Sequence, residues 1–167
     1  AIDADLIAQA CAWAAQAPDG GNEVTYYRDS AEAPWRVLAR FDAYHGGKDA
    51  FSPAFFAPDG TLYVHARHGS DKQALYRYDL EKNRIDDTPL AASADFDVHA
   101  EMLGANDRLL GLRYETDAQT TQWLDEKMQA LQKQVNGMLP MSINSLSTGW
   151  RSATPFILVR SVSDTMP

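Results

Sequence analysis

The chain has 167 residues, 45 % of them hydrophobic and 23 % charged, which is the balance of a folded domain with its own core and not of a disordered chain. A formal net charge of −8 and the lack of any Lys/Arg cluster argue against nucleic acid and against an anionic membrane surface as partners. No apolar run is long enough to span a bilayer, and the single cysteine, Cys11, makes no internal disulfide.

The opening stretch AIDADLIAQACAWAAQA lacks the basic start of an intact signal peptide. Cys11 sits there among alanines and reads as a small buried hydrophobe. Two turns then share the tetrapeptide Ala-Pro-Asp-Gly, at Ala17–Gly20 and Ala57–Gly60, and each leads into a strand-like run. In such a turn Pro presets φ, Asp caps through its side chain and Gly takes the positive φ that closes a hairpin. A second echo links WRVLARFD, ending at Phe41-Asp42, with ALYRYDL, passing through Tyr78-Asp79. Each is an alternating strand that closes on an aromatic-Asp pair. A weaker copy begins at EMLGANDRLLGLRYE, with its turn at Asn106-Asp107, and PFILVRSVSD is expected to start a further strand group.

Hairpin units recurring at this interval point to a mainly β chain of consecutive antiparallel four-stranded sheets, the blades of a partial propeller. The most complete blade is expected to comprise SPAFFAP, TLYVHARH, ALYRYDL and a strand within DTPLAASADF. The rival reading is a generic antiparallel sandwich. One amphipathic helix interrupts the strands near 126–137, with Asp125 as N-cap and Met128, Leu131 and Val135 on one face, Met138 or Leu139 extending it. Gly137 and Pro140 are its expected stop. RYETDAQTTQWL reads as the hairpin before it, so the helix is expected as an insertion within a blade, after an inner strand.

Chemistry-bearing motifs are sparse. No Gly-x-Ser-x-Gly elbow occurs. His68, Ser70 and Asp71 lie close in sequence, but a working triad converges from separate elements, so the expected structure is a turn with Gly69 at positive φ and Asp71 bonded to the backbone. YHGGKD, Tyr44 to Asp49, lacks the frame of a phosphate loop and reads as a connection between blades. Asp95, Asp97, His99 and Glu101 would share one face of a strand and are the best metal constellation available, although a solvated acidic edge is the preferred reading and no metal or cofactor is expected. Asp3, Asp5, Asp86 and Asp87 fall in polar turns or termini. Trp13, Trp35, Trp123 and Trp150 are spaced irregularly and read as packing between blades; a sugar-binding sandwich would use similar residues.

Three stretches together, YYRDSAEAPWRVLARFDA, FAPDGTLYVHARHGSDKQALYRYDL and YETDAQTTQWLDEKMQALQKQVNGMLP, resemble the N-terminal propeller of bacterial serine peptidases of the prolyl oligopeptidase family, in its acylaminoacyl-peptidase and dipeptidyl-aminopeptidase branch. The Trp-Leu-Asp before the helix is the most telling feature. The resemblance implies that residues 1–167 form a single region of about three blades, cut at both ends. The partner is then a catalytic α/β-hydrolase domain in the same parent chain, absent here, in a bacterial cytoplasm or periplasm. The segment's role is to gate and scaffold peptide access, with no catalysis of its own. Arg67 and His68 are the substrate-facing candidates, and exposed blade edges imply self-association. The alternative is a stand-alone β-rich module that binds a peptide or glycan.

Overall fold

A computed structural model describes residues 12–16, 21–30, 32–47, 49–105, 108–148 and 156–163, the side chains at 12–16 and 105 excepted. The chain is mainly β, its sheets are all antiparallel, and one helix occurs among the described residues. It divides into two compact units, Ala1–Phe56 with Gly60–His99, and Ala57–Asp59 with Ala100–Pro167.

The first unit holds two sheets. Strands β1 (Ala12–Gln16), β2 (Asn22–Tyr27) and β3 (Arg36–Asp42) pair in that order. Strands β4 (Phe51–Phe56), β5 (Leu62–Ala66), β6 (Ala74–Asp79) and β7 (Arg84–Ile85) form a four-stranded meander. Alternation decides which side chains meet, because residues directly opposite one another share a face. Leu62, Val64 and Ala66 on β5 face the same way as Tyr78, Tyr76 and Ala74 on β6. All six are buried in one cluster with Tyr27, Leu38, Phe51 and Ile85, so the β1–β3 sheet covers this face. Rings fill the seam: Phe51 lies 5.3 Å from Phe41 and 4.8 Å from Tyr78.

The opposite face of the meander is occupied too. Leu75 is fully buried there, as are the nearby Ala91 and Val98, and Val98 N donates to Gln73 O at 2.8 Å. Tyr63 meets Phe55 and His65 meets His99 in tilted ring contacts. The Leu75 end of this second face is thus covered, while Arg77 further along it is exposed.

The two aromatic-Asp echoes are one physical device used twice. Asp42 Oδ1 accepts from the amides of Tyr44 and His45 at 2.9 and 2.8 Å, and Asp79 Oδ1 accepts from those of Glu81 and Lys82 at 3.0 and 2.9 Å. Each turn then passes through a left-handed residue four positions on, Gly46 at φ 62 and Asn83 at φ 53. The bonded amides and Lys82 hold the Asp79 carboxyl down at about 2. Asp42 is likewise lowered by its bonds from His45 and Tyr44. Within YHGGKD, Tyr44 to Gly46 thus form the capped turn that ends β3, closed by a bridge between Asp42 and Gly46, on the connection to β4.

The fourth strand of the meander departs from expectation. Because Asp79 turns the chain at once, β7 starts at Arg84, ahead of the expected segment. Asp86 N donates to Arg77 O, the chain then leaves β6, and it returns only where Leu90 and Ala91 bond to Leu75. Pro89, which lacks an N–H, falls within the gap. The Ala-Pro-Asp-Gly turn at 57–60 forms as expected, with Gly60 at φ 83. Its counterpart at 17–20 lies outside the described residues, as do Cys11, Asp3, Asp5, Trp150 and the Asn106-Asp107 turn.

In the second unit β8 (Glu101–Ala105), β9 (Arg108–Glu115) and β10 (Gln119–Trp123) pair in the order β10-β9-β8, and helix α1 (Glu126–Met138) leads to the hairpin of β11 (Ile143–Thr148) and β12 (Ile157–Val162). The helix follows an edge strand, β10, and not an inner one. PFILVRSVSD supplies β12, which pairs back onto β11 and opens no new group.

Leu110 O accepts from both Leu124 N and Asp125 N where β10 ends, which sets the helix start. Asp125 caps as expected, accepting from Met128 N at 3.0 Å. Met128 and Val135 are buried with Leu110, Trp123 and Leu146, and Leu131 packs against them. Met138 and Leu139 are exposed and take no part. Gly137 does not stop the helix, which runs to Met138 and ends where Leu139 N bonds to Val135 O ahead of Pro140. The glutamines on the other side are used: Trp123 Nε1 donates to Gln132 Oε1, and Gln129 Nε2 to Trp123 O.

Two glycines of this unit, Gly111 and Gly137, respond oppositely to alanine. At Gly111 a Cβ would meet Gln122 O at 2.7 Å and Trp123 Cε3 at 2.8 Å, whereas at Gly137 nothing lies within 4 Å. Gly111→Ala is expected to cost about 1–3 kcal/mol through overpacking. Gly137→Ala is expected to add roughly 0.5–1 kcal/mol by stiffening a helix. Urea denaturation of the two variants checks both signs.

Candidate functional site

The first unit carries an open cleft of about 230 Å³ at one end of its two sheets. Phe41 and Phe51 form its apolar part, where β3 ends and β4 begins. Its polar groups come from four places: Glu23 on β2, Asp42 at the capped turn, Ser52 and His65 on the paired β4 and β5, and Arg67 and Gln73 in the segment that joins β5 to β6. The volume lies below the ~300–1,000 Å³ of a site for a drug-sized ligand, so the cleft fits one side chain or a chain terminus.

Of the two substrate-facing candidates, Arg67 lines this cleft. Its guanidinium is largely exposed and stands 3.9 Å from Asp97 Oδ2. His68 is turned elsewhere. Residues 67–70 form a tight turn, with Ser70 N bonded to Arg67 O and both His68 (φ 45) and Gly69 (φ 89) left-handed. The His68 ring meets the edge of Tyr76 at 5.4 Å. Its Nδ1 lies 3.5 Å from Asp49 and its Nε2 3.9 Å from Asp87. The Nδ1 contact is close enough for an ion pair but is not aligned as a hydrogen bond.

Ser70 is committed to the turn, its Oγ accepting from Lys72 N at 3.2 Å, and the side chain that closes the turn is this serine and not Asp71. No hydrogen bond joins Ser70 to His68 among the described residues. Asp71 instead faces Lys72 Nζ at 3.7 Å.

The stretch holding Asp95, Asp97 and His99 is not a strand, which corrects the expectation that alternation aligns these residues with Glu101 on one face. Its bonds are made to the meander. Asp97 Oδ1 accepts from Gln73 N at 2.7 Å, which lowers its pKa, and the His99 ring lies 5.5 Å from that of His65. Among the described residues no three His, Cys, Asp or Glu side chains converge as a metal site. Trp123 is core, whereas Trp35 is exposed beneath the Arg28 guanidinium, 4.5 Å from its ring.

His65, which carries no local motif in the sequence, lines the cleft beside Arg67. Burial lowers its pKa, and the neighbouring His99 imidazole lowers it further. Only the pairing of β5 with β4 and the docking of 97–99 create that setting, and no local motif announces either.

Comparison with protein-family models, with curated proteins and with solved structures finds no match to this chain.

His65 gives the unit a pH dependence of defined sign. A depressed folded pKa means the unfolded chain takes the proton first, from the ordinary histidine value of about 6.5 downward. His65 therefore contributes stability above that pH, and the contribution is lost as pH falls toward its folded pKa. Urea midpoints at acid and neutral pH are expected to drop more for the natural chain than for His65→Gln.

Proposed function

We propose that this chain is a non-catalytic propeller segment of a prolyl oligopeptidase-like serine peptidase, and that it governs how peptides reach a catalytic domain. The observation that carries this reading is the repeat built on Asp42 and Asp79. Both residues end a third strand of a meander, cap the next turn through amides two and three positions on, and precede a left-handed residue at the fourth. In the same unit the two meanders lie face to face, and Leu75 on the other face of the second is buried too. Consecutive sheets of one design, each needing a neighbour on either face, are how propeller blades are arranged.

The cleft at the end of these sheets is the place where a peptide would touch the segment. Arg67 offers a charged donor for a backbone carbonyl or a terminal carboxylate, Ser52 and Gln73 supply neutral polar groups, and Phe41 and Phe51 supply an apolar floor. These groups can bind and orient, and the reading assigns the bond-breaking step to a domain outside this chain. The second reading, a stand-alone module for peptides or glycans, draws on the same cleft.

The test is to titrate the chain with short peptides, following backbone amide shifts by NMR and products by mass spectrometry. The expected outcome is weak, saturable shifts at Ser52, His65 and Arg67 with no cleavage, and an approximately tenfold loss for Arg67→Ala, about 1.4 kcal/mol. Cleavage that disappears in Ser70→Ala would overturn the proposal. Saturation by oligosaccharides in place of peptides would favour the second reading.

A further inference from the structure

The cleft of the first unit sets opposite charges around an apolar floor. Glu23 lies directly opposite Phe41 in the pairing of β2 with β3, so its side chain shares a face with that ring. The Glu23 carboxylate has no ion-pair or hydrogen-bond partner among the described residues. Asp42, the other acidic group at the cleft, is already committed to the amides of Tyr44 and His45. Glu23 is therefore the carboxylate left for a ligand.

Arg67 supplies the positive charge. Its guanidinium stands 3.9 Å from Asp97 Oδ2, and the other oxygen of that carboxylate accepts from Gln73 N at 2.7 Å. A pair this long, with the arginine side chain 64 % exposed, holds Arg67 only weakly. An incoming carboxylate can take a bidentate place on it. The floor is formed by Phe41 and Phe51, packed edge to face with centroids 5.3 Å apart.

The charges decide what fits. An acidic side chain would be repelled by Glu23, and a ligand with cations alone would be repelled by Arg67. A ligand with a carboxylate at one end and a cation on an apolar stem meets both. Lysine and arginine are the side chains that lay an alkyl stem on apolar surface and carry the charge at its tip.

We propose that the cleft binds the C-terminal residue of a peptide ending in Lys or Arg. The terminal carboxylate lies on Arg67, the stem runs along Phe41 and Phe51, and the cation meets Glu23. The inference rests on the peptide-binding reading above and narrows it to one class of peptide end. The net charge of −8 attracts any cationic peptide, but that long-range field does not sense where in a peptide the lysine stands. Glu23 and Arg67 acting together do.

The test is an NMR titration of the natural chain, Glu23→Gln and Arg67→Ala with acetyl-Ala-Lys, its isomer acetyl-Lys-Ala, and acetyl-Ala-norleucine, which keeps the stem and lacks the charge. On the natural chain acetyl-Ala-Lys is expected to bind about fivefold more tightly than the norleucine peptide, the strength of one partly exposed ion pair. It is also expected to bind more tightly than its isomer of equal charge. Glu23→Gln is expected to bring the lysine and norleucine peptides to within about twofold of each other, whereas Arg67→Ala weakens both and leaves their ratio in place. Far-UV circular dichroism is expected to be the same for the three proteins. Saturable binding without a preference for acetyl-Ala-Lys, or a preference that Glu23→Gln leaves intact, would overturn the inference while the peptide reading stands. Absence of saturable shifts with every peptide would overturn both.

Discussion

The structure of the first unit turns on the burial of β5 and β6 against the β1–β3 sheet, with Leu75 buried on the other face as well. Leu62, Val64, Tyr76 and Tyr78 go into the cluster shared with the β1–β3 sheet, while Leu75 goes the other way and is sealed as completely. A sheet buried on both faces cannot be folded alone, since each apolar surface needs a cover. Side chains that would otherwise be solvated are accordingly recruited as covers. The Asp97–Gln73 and Val98–Gln73 bonds dock the 97–99 segment, and the His65–His99 contact follows from that docking.

Bulges do similar work in both units. Register shifts fall at Leu38 in the first sheet and at Leu110 in the third. Leu38 O accepts from Asn83 Nδ2, which ties the β6–β7 turn to the neighbouring sheet. Leu110 O holds the start of α1. In both places the residue at the shift also accepts a hydrogen bond that joins its sheet to the next part of the chain.

Much of this organisation was legible in the residues. Asp125, Met128 and Val135 announce the helix because capping and periodicity are local rules. Phe41-Asp42 and Tyr78-Asp79 announce repeated strand ends, although the side-chain bonds that make them equivalent are visible only in three dimensions. The misses share a cause. Gly137 has no tertiary reason to break a helix that packing already holds, and Pro140 ends it instead. The 95–101 stretch alternates like a strand, but Asp97 finds a backbone amide of the meander and takes the chain out of any ladder. β7 begins early because the Asp79 turn is tight. Of the cleft, Arg67 was anticipated and His65 was not, since its setting comes from pairings distant in sequence.

The claim that the meander is packed on both faces is tested most directly by removing the side chain from the less obvious face. Leu75→Ala, measured by urea denaturation beside Val64→Ala, is expected to cost about 2–5 kcal/mol, the range for a leucine deleted from a closed core. A loss within about 0.5 kcal/mol, as for a surface site, would contradict it.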